Sequence, residues 1–183
     1  MIVTTFLEVP DPVSVDLRNR SQGEPRELHL RKIDSHLEAS ATYLEVGEKH
    51  YWPIYRISWT DAHWARHLQR PDIEISGIYT NDGVKIGYLE VQIHPDSCIE
   101  ILNFGLRPAF IGKGYGRQAL ALAIRRGVEL GATSIRLTTC SLDHPAALKN
   151  YYSSGFRLMK EEVKNFLPLD NIPQLAEEGL ACT

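Results

Sequence analysis

The stretch GKGYG (112–116) places Gly112, Gly114 and Gly116 at every second position, with Lys113 between the first two and Arg117 just after the third. Glycine is conformationally costly when ordered, so this density marks a place where bare backbone is needed. The segment before it, CIEILNFGL (98–106), reads as a strand, and the segment after it as a helix. Leu120, Ile124 and Val128 recur at four-residue steps, and Gly131 stands at the helix end. The first turn of a helix leaves N–H groups unpaired and carries the positive end of the helix dipole. Without Cβ atoms an anion can approach those groups closely, and the two cations add charge. The spacing predicts a phosphate or pyrophosphate cradle between strand and helix. It is not a P-loop, because Gly114 stands after Lys113 where Ser or Thr is required. It is not the G-x-G-x-x-G dinucleotide fingerprint either, because it falls late in the chain, after antiparallel strands. A turn that merely lets strand and helix pack closely is the structural alternative.

Other residues could also carry chemistry. Tyr88, Glu90, Gln92 and His94 share one face of a strand by its period of two. That face is polar, so it is either solvent-facing or the wall of a substrate site. Glu100 shares its face with Cys98, Leu102 and Phe104, where a charge needs a reason. Each carboxylate fits a structural role as well as a catalytic one, and a water relay with no single base is equally open. His63 and His67 lie four apart on a helix, but Trp64 stands where a zinc protease has glutamate. They read as exposed helix histidines, and no metal is expected. Tyr51, Trp52, Tyr55, Trp59 and Trp64 cluster in sequence, either as core or as an aromatic wall around a substrate amine.

These groups sit on a legible series of elements. IVTTFLEV (2–9) reads as a strand stopped by Pro10 and Pro12, and ELHLRKI (27–33) as a second strand. Residues 34–70 are mostly helical, broken by Pro53; TDAHWARHLQR (60–70) is the clearest helix, with Thr60 or Asp61 as cap. DIEISGIYT and VKIGYLEVQI flank the turn NDG (81–83) as antiparallel strands. After the glycine helix come the strand TSIRLTTC (133–140), a short helix within 143–155 and the strand FRLMKEEV (156–163). This order predicts an α/β fold, a mixed sheet with helices on its faces, in one domain over 1–183 with a tail from about 168. The 183 residues suffice for a real core, and 43% hydrophobic with 23% charged residues is ordinary globular composition. A net charge of -3 leaves no basic footprint for nucleic acid. No apolar run reaches the roughly 20 residues of a membrane span. The start MIVTTFLEVP lacks an export pattern, and Cys98, Cys140 and Cys182 lack metal spacing, so reduced thiols in a cytoplasmic protein are expected.

The stretch RPAFIGKGYGRQAL resembles the acyl-CoA loop of the GNAT superfamily of N-acetyltransferases, with Gly114 and Gly116 on its final glycines. Ile111 stands where the superfamily usually has Arg or Gln, though a bacterial subgroup of unassigned substrate carries Ile there. LDHPAALKNYYSSGF (142–156) is similar to the superfamily's later motif, with Tyr151 on its tyrosine and Gly155-Phe156 in register. His144 falls where many members have an asparagine that contacts the cofactor. The resemblance covers roughly 48–160. It implies a GNAT fold whose central sheet splays in the middle, and transfer of an acetyl group from acetyl-CoA to a small-molecule or peptide amine by direct attack in a ternary complex. It implies Phe104, Gly105 and Leu106 as holders of the pantetheine arm. Ile111, Gly112, Lys113, Gly114, Tyr115, Gly116 and Arg117 would surround the pyrophosphate, with His144 and Ala147 as further cofactor contacts. Tyr151 would be the general acid, with Glu90 or Glu100 as candidate bases. A non-catalytic acyl-CoA-binding module on the same fold is the alternative, and the acceptor and the oligomeric state, a homodimer included, stay open.

Overall fold

The computed structural model describes residues 1–15, 27–47, 50, 56 and 58–164. Among them are seven strands: β1 (Ile2–Val9), β2 (Leu28–Lys32), β3 (Ile73–Thr80), β4 (Lys85–Ile93), β5 (Cys98–Leu106), β6 (Ser134–Cys140) and β7 (Arg157–Lys164). Four α-helices accompany them: α1 (His36–Gly47), α2 (Asp61–Leu68), α3 (Tyr115–Glu129) and α4 (Ala147–Ser153). The strands form one sheet in the order β2-β3-β4-β5-β6-β1-β7. Every neighbouring pair is antiparallel except β5 and β6. The mixed α/β sheet expected from the sequence is therefore present. The first strand does not begin the sheet. It inserts between β6 and β7, and Ser141 N–H donates to the Val3 carbonyl (2.9 Å), pinning the end of β6.

The sheet carries apolar packing on both faces. On one, Leu120 and Ile124 of α3 are fully buried against Ile99, Ile135 and Leu89. Each such side chain stabilises the fold by about 1.5–3 kcal/mol. Val128, expected on the same stripe, is only half-buried; Gly127 lies innermost, and a Cβ there would sit 2.6 Å from Ile135. On the other face α1 and α2 cover Ile73, Ile75 and Tyr88 with Tyr43, Val46 and Trp64. No described helix is long and apolar enough to cross a membrane.

Two irregularities shape the middle of the sheet. The β5–β6 ladder runs from Cys98 opposite Ser134 to Ile101 opposite Leu137 and stops. Yet β5 continues along β4 to Leu106, and β6 continues along β1 to Cys140. The two strands separate beyond Ile101, and the β6-facing edge of β5 carries unused backbone groups. The second irregularity is a bulge. Glu90 faces Asn103 while Val91 faces Ile101, so Leu102 is an extra residue in β5. Leu102 packs with the α1/α2 cluster, whereas Phe104 packs with the α3 cluster. The even-numbered alternation that put Phe104 beside Glu100 thus breaks at Leu102, because a bulge adds one residue to one strand only.

Candidate active site

Between the separated ends of β5 and β6 lies a cavity of about 470 Å³. Its floor comes from β5 (Phe104, Gly105, Leu106) and β6 (Leu137, Thr138). One end is the glycine loop. Gly112 and Gly114 have φ of 76° and 84°, in the left-handed region that side chains rarely adopt, and a Cβ on either would meet nothing within 4 Å. Gly114 is the N-cap of α3, so the unpaired amides of the first turn open there. Arg117 lines the same end, and Asn150 Nδ2 donates to the Gly116 carbonyl (3.2 Å), tying α4 to the first turn of α3.

The site residues expected from the sequence separate into two groups. Ile111, Gly112, Gly114, Gly116, Arg117, His144, Ala147 and Tyr151 line the cavity together with the three β5 residues. Lys113 and Tyr115 do not: Lys113 lies over the Phe110 ring (5.5 Å), and Tyr115 packs edge-on against it (5.9 Å). Glu90 and Glu100 are absent from the lining as well. Glu100 pairs with His94 at 2.9 Å on the α1/α2 side.

Tyr151 stands on α4 at the gap, 8% exposed, with its ring 5.9 Å from Phe156. Burial, and secondarily the charge of Asp143, pushes its phenol well above the ordinary range. It is therefore protonated at every working pH, as a proton donor must be. Asp143 itself accepts from Thr139 Oγ1 (2.6 Å) and from the Cys140 N–H (3.1 Å). His144 Nδ1 accepts from the Ala146 N–H (3.1 Å), and its ring meets that of His50 at 5.5 Å.

The polar face of β4 is neither solvent nor cavity wall at its centre. Glu90 is 0% exposed and accepts five hydrogen bonds. Arg56 donates Nη2 to Oε1 (2.7 Å) and Nη1 to Oε2 (2.9 Å). His67 Nε2 meets Oε1 at 2.6 Å, Tyr88 Oη donates to Oε2 at 2.8 Å, and Asn103 Nδ2 donates to Oε2 at 3.2 Å. Burial alone would raise the Glu90 carboxyl, but the Arg56 charge and the bonds from His67 and Arg56 outweigh it and hold it far below the carboxylate range. His67, expected to be exposed, is buried for this reason, while His63 turns back to accept from the Thr60 N–H at the start of α2. The Arg56 guanidinium also lies over the rings of Trp59 (4.4 Å), Tyr43 (4.8 Å) and Trp64 (5.0 Å). Trp59 and Trp64 thus enclose Arg56 and do not line the cavity; Tyr51, Trp52 and Tyr55 lie outside the described residues. Sequence reasoning missed Arg56, Asn103 and Asn150. The aromatic crowd around position 56 is the one signal that pointed to a buried cation.

This buried pair sets an acid response. A carboxylate with a depressed folded value adds stability above its unfolded value, near 4.5, which is lost as pH falls through the folded one. Glu90→Gln, which strands Arg56, is expected to cost about 3–5 kcal/mol at pH 7. Thermal unfolding from pH 7 to pH 3 should show that gap narrowing below pH about 4.5, as the Glu90 carboxyl of the unfolded chain takes up a proton that the folded one still resists. A gap independent of pH would contradict the assignment.

A helix N-terminus open to an anion, set beside a strand edge with unused backbone groups, suits a ligand with phosphate at one end and amides along its arm. The sequence profile of the acetyltransferase (GNAT) family matches residues 44–156, which contain all of this machinery. The chain belongs to that family. Solved GNAT structures share its fold. A GCN5-related N-acetyltransferase from Kribbella flavida superposes with a TM-score of 0.60 at 22% identity, over 88% of this chain and 57% of its own. The PaiA N-acetyltransferase of Thermoplasma acidophilum, solved with coenzyme A, gives 0.54 at 21% identity, over 75% of this chain and 99% of its own. The spermidine N-acetyltransferase of Vibrio cholerae, solved with CoA and spermine, gives 0.57 at 18% identity, over 70% and 79%. The GNAT chain described here thus spans little more than half the length of the Kribbella protein. No curated protein matches it.

Proposed function

We propose that residues 1–183 form one GNAT domain that binds acetyl-CoA and passes its acetyl group to an amine. The observation that carries this reading is the juxtaposition of glycine loop, open β5 edge and Tyr151 around one cavity. The loop amides from Gly112 to Arg117 and the Arg117 side chain would hold the pyrophosphate. The freed edge of β5 at Phe104–Leu106 would pair with the amides of the pantetheine arm, as an added strand would. Acetyl-CoA supplies an activated thioester carbonyl; as the new C–N bond forms and the C–S bond breaks, Tyr151 Oη gives its proton to the departing sulfur.

The attacking nitrogen must also lose a proton. Glu90 has its lone pairs filled, Glu100 is bonded to His94 away from the cavity, and Asp143 is held by Thr139 and Cys140. We therefore assign the carboxylates structural roles and route this proton to water, which follows the relay alternative of the sequence reading.

The test is thiol release from acetyl-CoA by purified protein with n-butylamine, benzylamine and spermidine. Amine-dependent release that rises with pH toward the acceptor's own pKa is expected, because no site carboxylate takes the proton. Acetyl-CoA binding with no amine-dependent release would favour an acyl-CoA-binding module instead.

A further inference from the structure

The bulge at Leu102 has a chemical consequence. It turns Asn103 toward Glu90, and Asn103 lines the cavity at the same time. A carboxylate can only accept hydrogen bonds, so the Asn103 amide must point its NH2 at Glu90. Glu90 is itself immobile, gripped by Arg56, His67 and Tyr88. The Asn103 carbonyl oxygen is therefore left facing away from the carboxylate. Among the described residues it takes no hydrogen bond, and the side chain is only half-buried, so Oδ1 is accessible from the cavity.

Position decides what that oxygen meets. Phosphate-binding features lie at the glycine loop, on the α3 side of the sheet, and Phe104 and Leu106 pack toward that side. Asn103 and Leu102 point to the α1/α2 side, where Val46 and His50 close the cavity. An acyl arm entering from the glycine loop reaches that side last, so the acceptor must approach there. Resting on the transferase reading above, the geometry points to Asn103 Oδ1 as the acceptor of a hydrogen bond from the attacking amine's N–H, its orientation locked by Glu90. A neutral amine has N–H donors to offer and needs its lone pair aimed at the thioester carbon. A fixed acceptor beside it sets that aim without taking the proton. The site then selects acceptors with at least two N–H bonds, one held by Asn103 and one lost in the reaction, which means primary over secondary amines.

The experiment compares wild type with Asn103→Leu, of similar volume and without hydrogen bonds, and with Asn103→Ser, whose hydroxyl can donate to Glu90 and still accept. Each is titrated with acetyl-CoA by calorimetry and assayed for thiol release with benzylamine and N-methylbenzylamine. For Asn103→Leu the expected result is an unchanged acetyl-CoA affinity, a fall of about tenfold in kcat/KM for benzylamine, and a narrowed preference for benzylamine over its N-methyl analogue. Asn103→Ser should recover part of both. Unchanged benzylamine kinetics in Asn103→Leu, or an equal loss of acetyl-CoA affinity, would overturn the assignment while leaving the transferase reading intact. A wild type that binds acetyl-CoA and releases thiol with neither amine would instead strike at the transferase reading, and this assignment would fall with it.

Discussion

Tyr151→Phe is expected to lower turnover about a hundredfold or more while acetyl-CoA affinity stays within a factor of two. The environment of the phenol at the gap keeps it protonated: it is buried, and Asp143 nearby opposes its ionisation. A thiolate leaving without a proton forfeits that stabilisation, about 2.7 kcal/mol for a hundredfold. Phenylalanine keeps the ring against Phe156 and so keeps the packing of α4. Steady-state thiol release and calorimetry separate the two effects. Equal losses of turnover and affinity would make Tyr151 a packing residue, and normal turnover would remove it from the chemistry.

Gly114→Glu is expected to lower acetyl-CoA affinity by at least a hundredfold, about 2.7 kcal/mol. Gly114 caps α3 with φ 84°, and the side chain of any replacement would project into open space where the anion is to sit. Glutamate there adds a negative charge against the phosphates and competes for amides whose charge-assisted bonds are worth about 1.5–3 kcal/mol each. Gly114→Asn separates charge from backbone strain, because asparagine tolerates the left-handed region. Its affinity should fall far less. Equal losses in the two variants would assign the effect to distortion of the loop.

The elements were legible in the sequence because their signals are local. The stripe of Leu120 and Ile124, the turn NDG and the alternation of β3 and β4 each fall within one short window. The cavity-lining half of the site was legible too, since glycine spacing before a helix states a backbone requirement directly. What stayed hidden depends on contacts between distant segments. The Leu102 bulge exists only through the pairing of β5 with β4, so the period-of-two reading carried Phe104 to the wrong face. Glu90 could be read as a base because its partner Arg56 lies 34 residues away in sequence, in a stretch dominated by aromatic rings. The insertion of β1 between β6 and β7 likewise has no local signature, because strand order is decided by which edges remain to be covered.

The most direct test of the central claim is calorimetric titration of the wild-type protein with acetyl-CoA, with NAD as a comparison ligand. Saturable one-site binding of acetyl-CoA, absent for NAD and lost in Gly114→Glu, is the result this account predicts. No binding of acetyl-CoA, or binding that survives Gly114→Glu undiminished, would contradict it and leave the fold without the cradle assigned to its glycine loop.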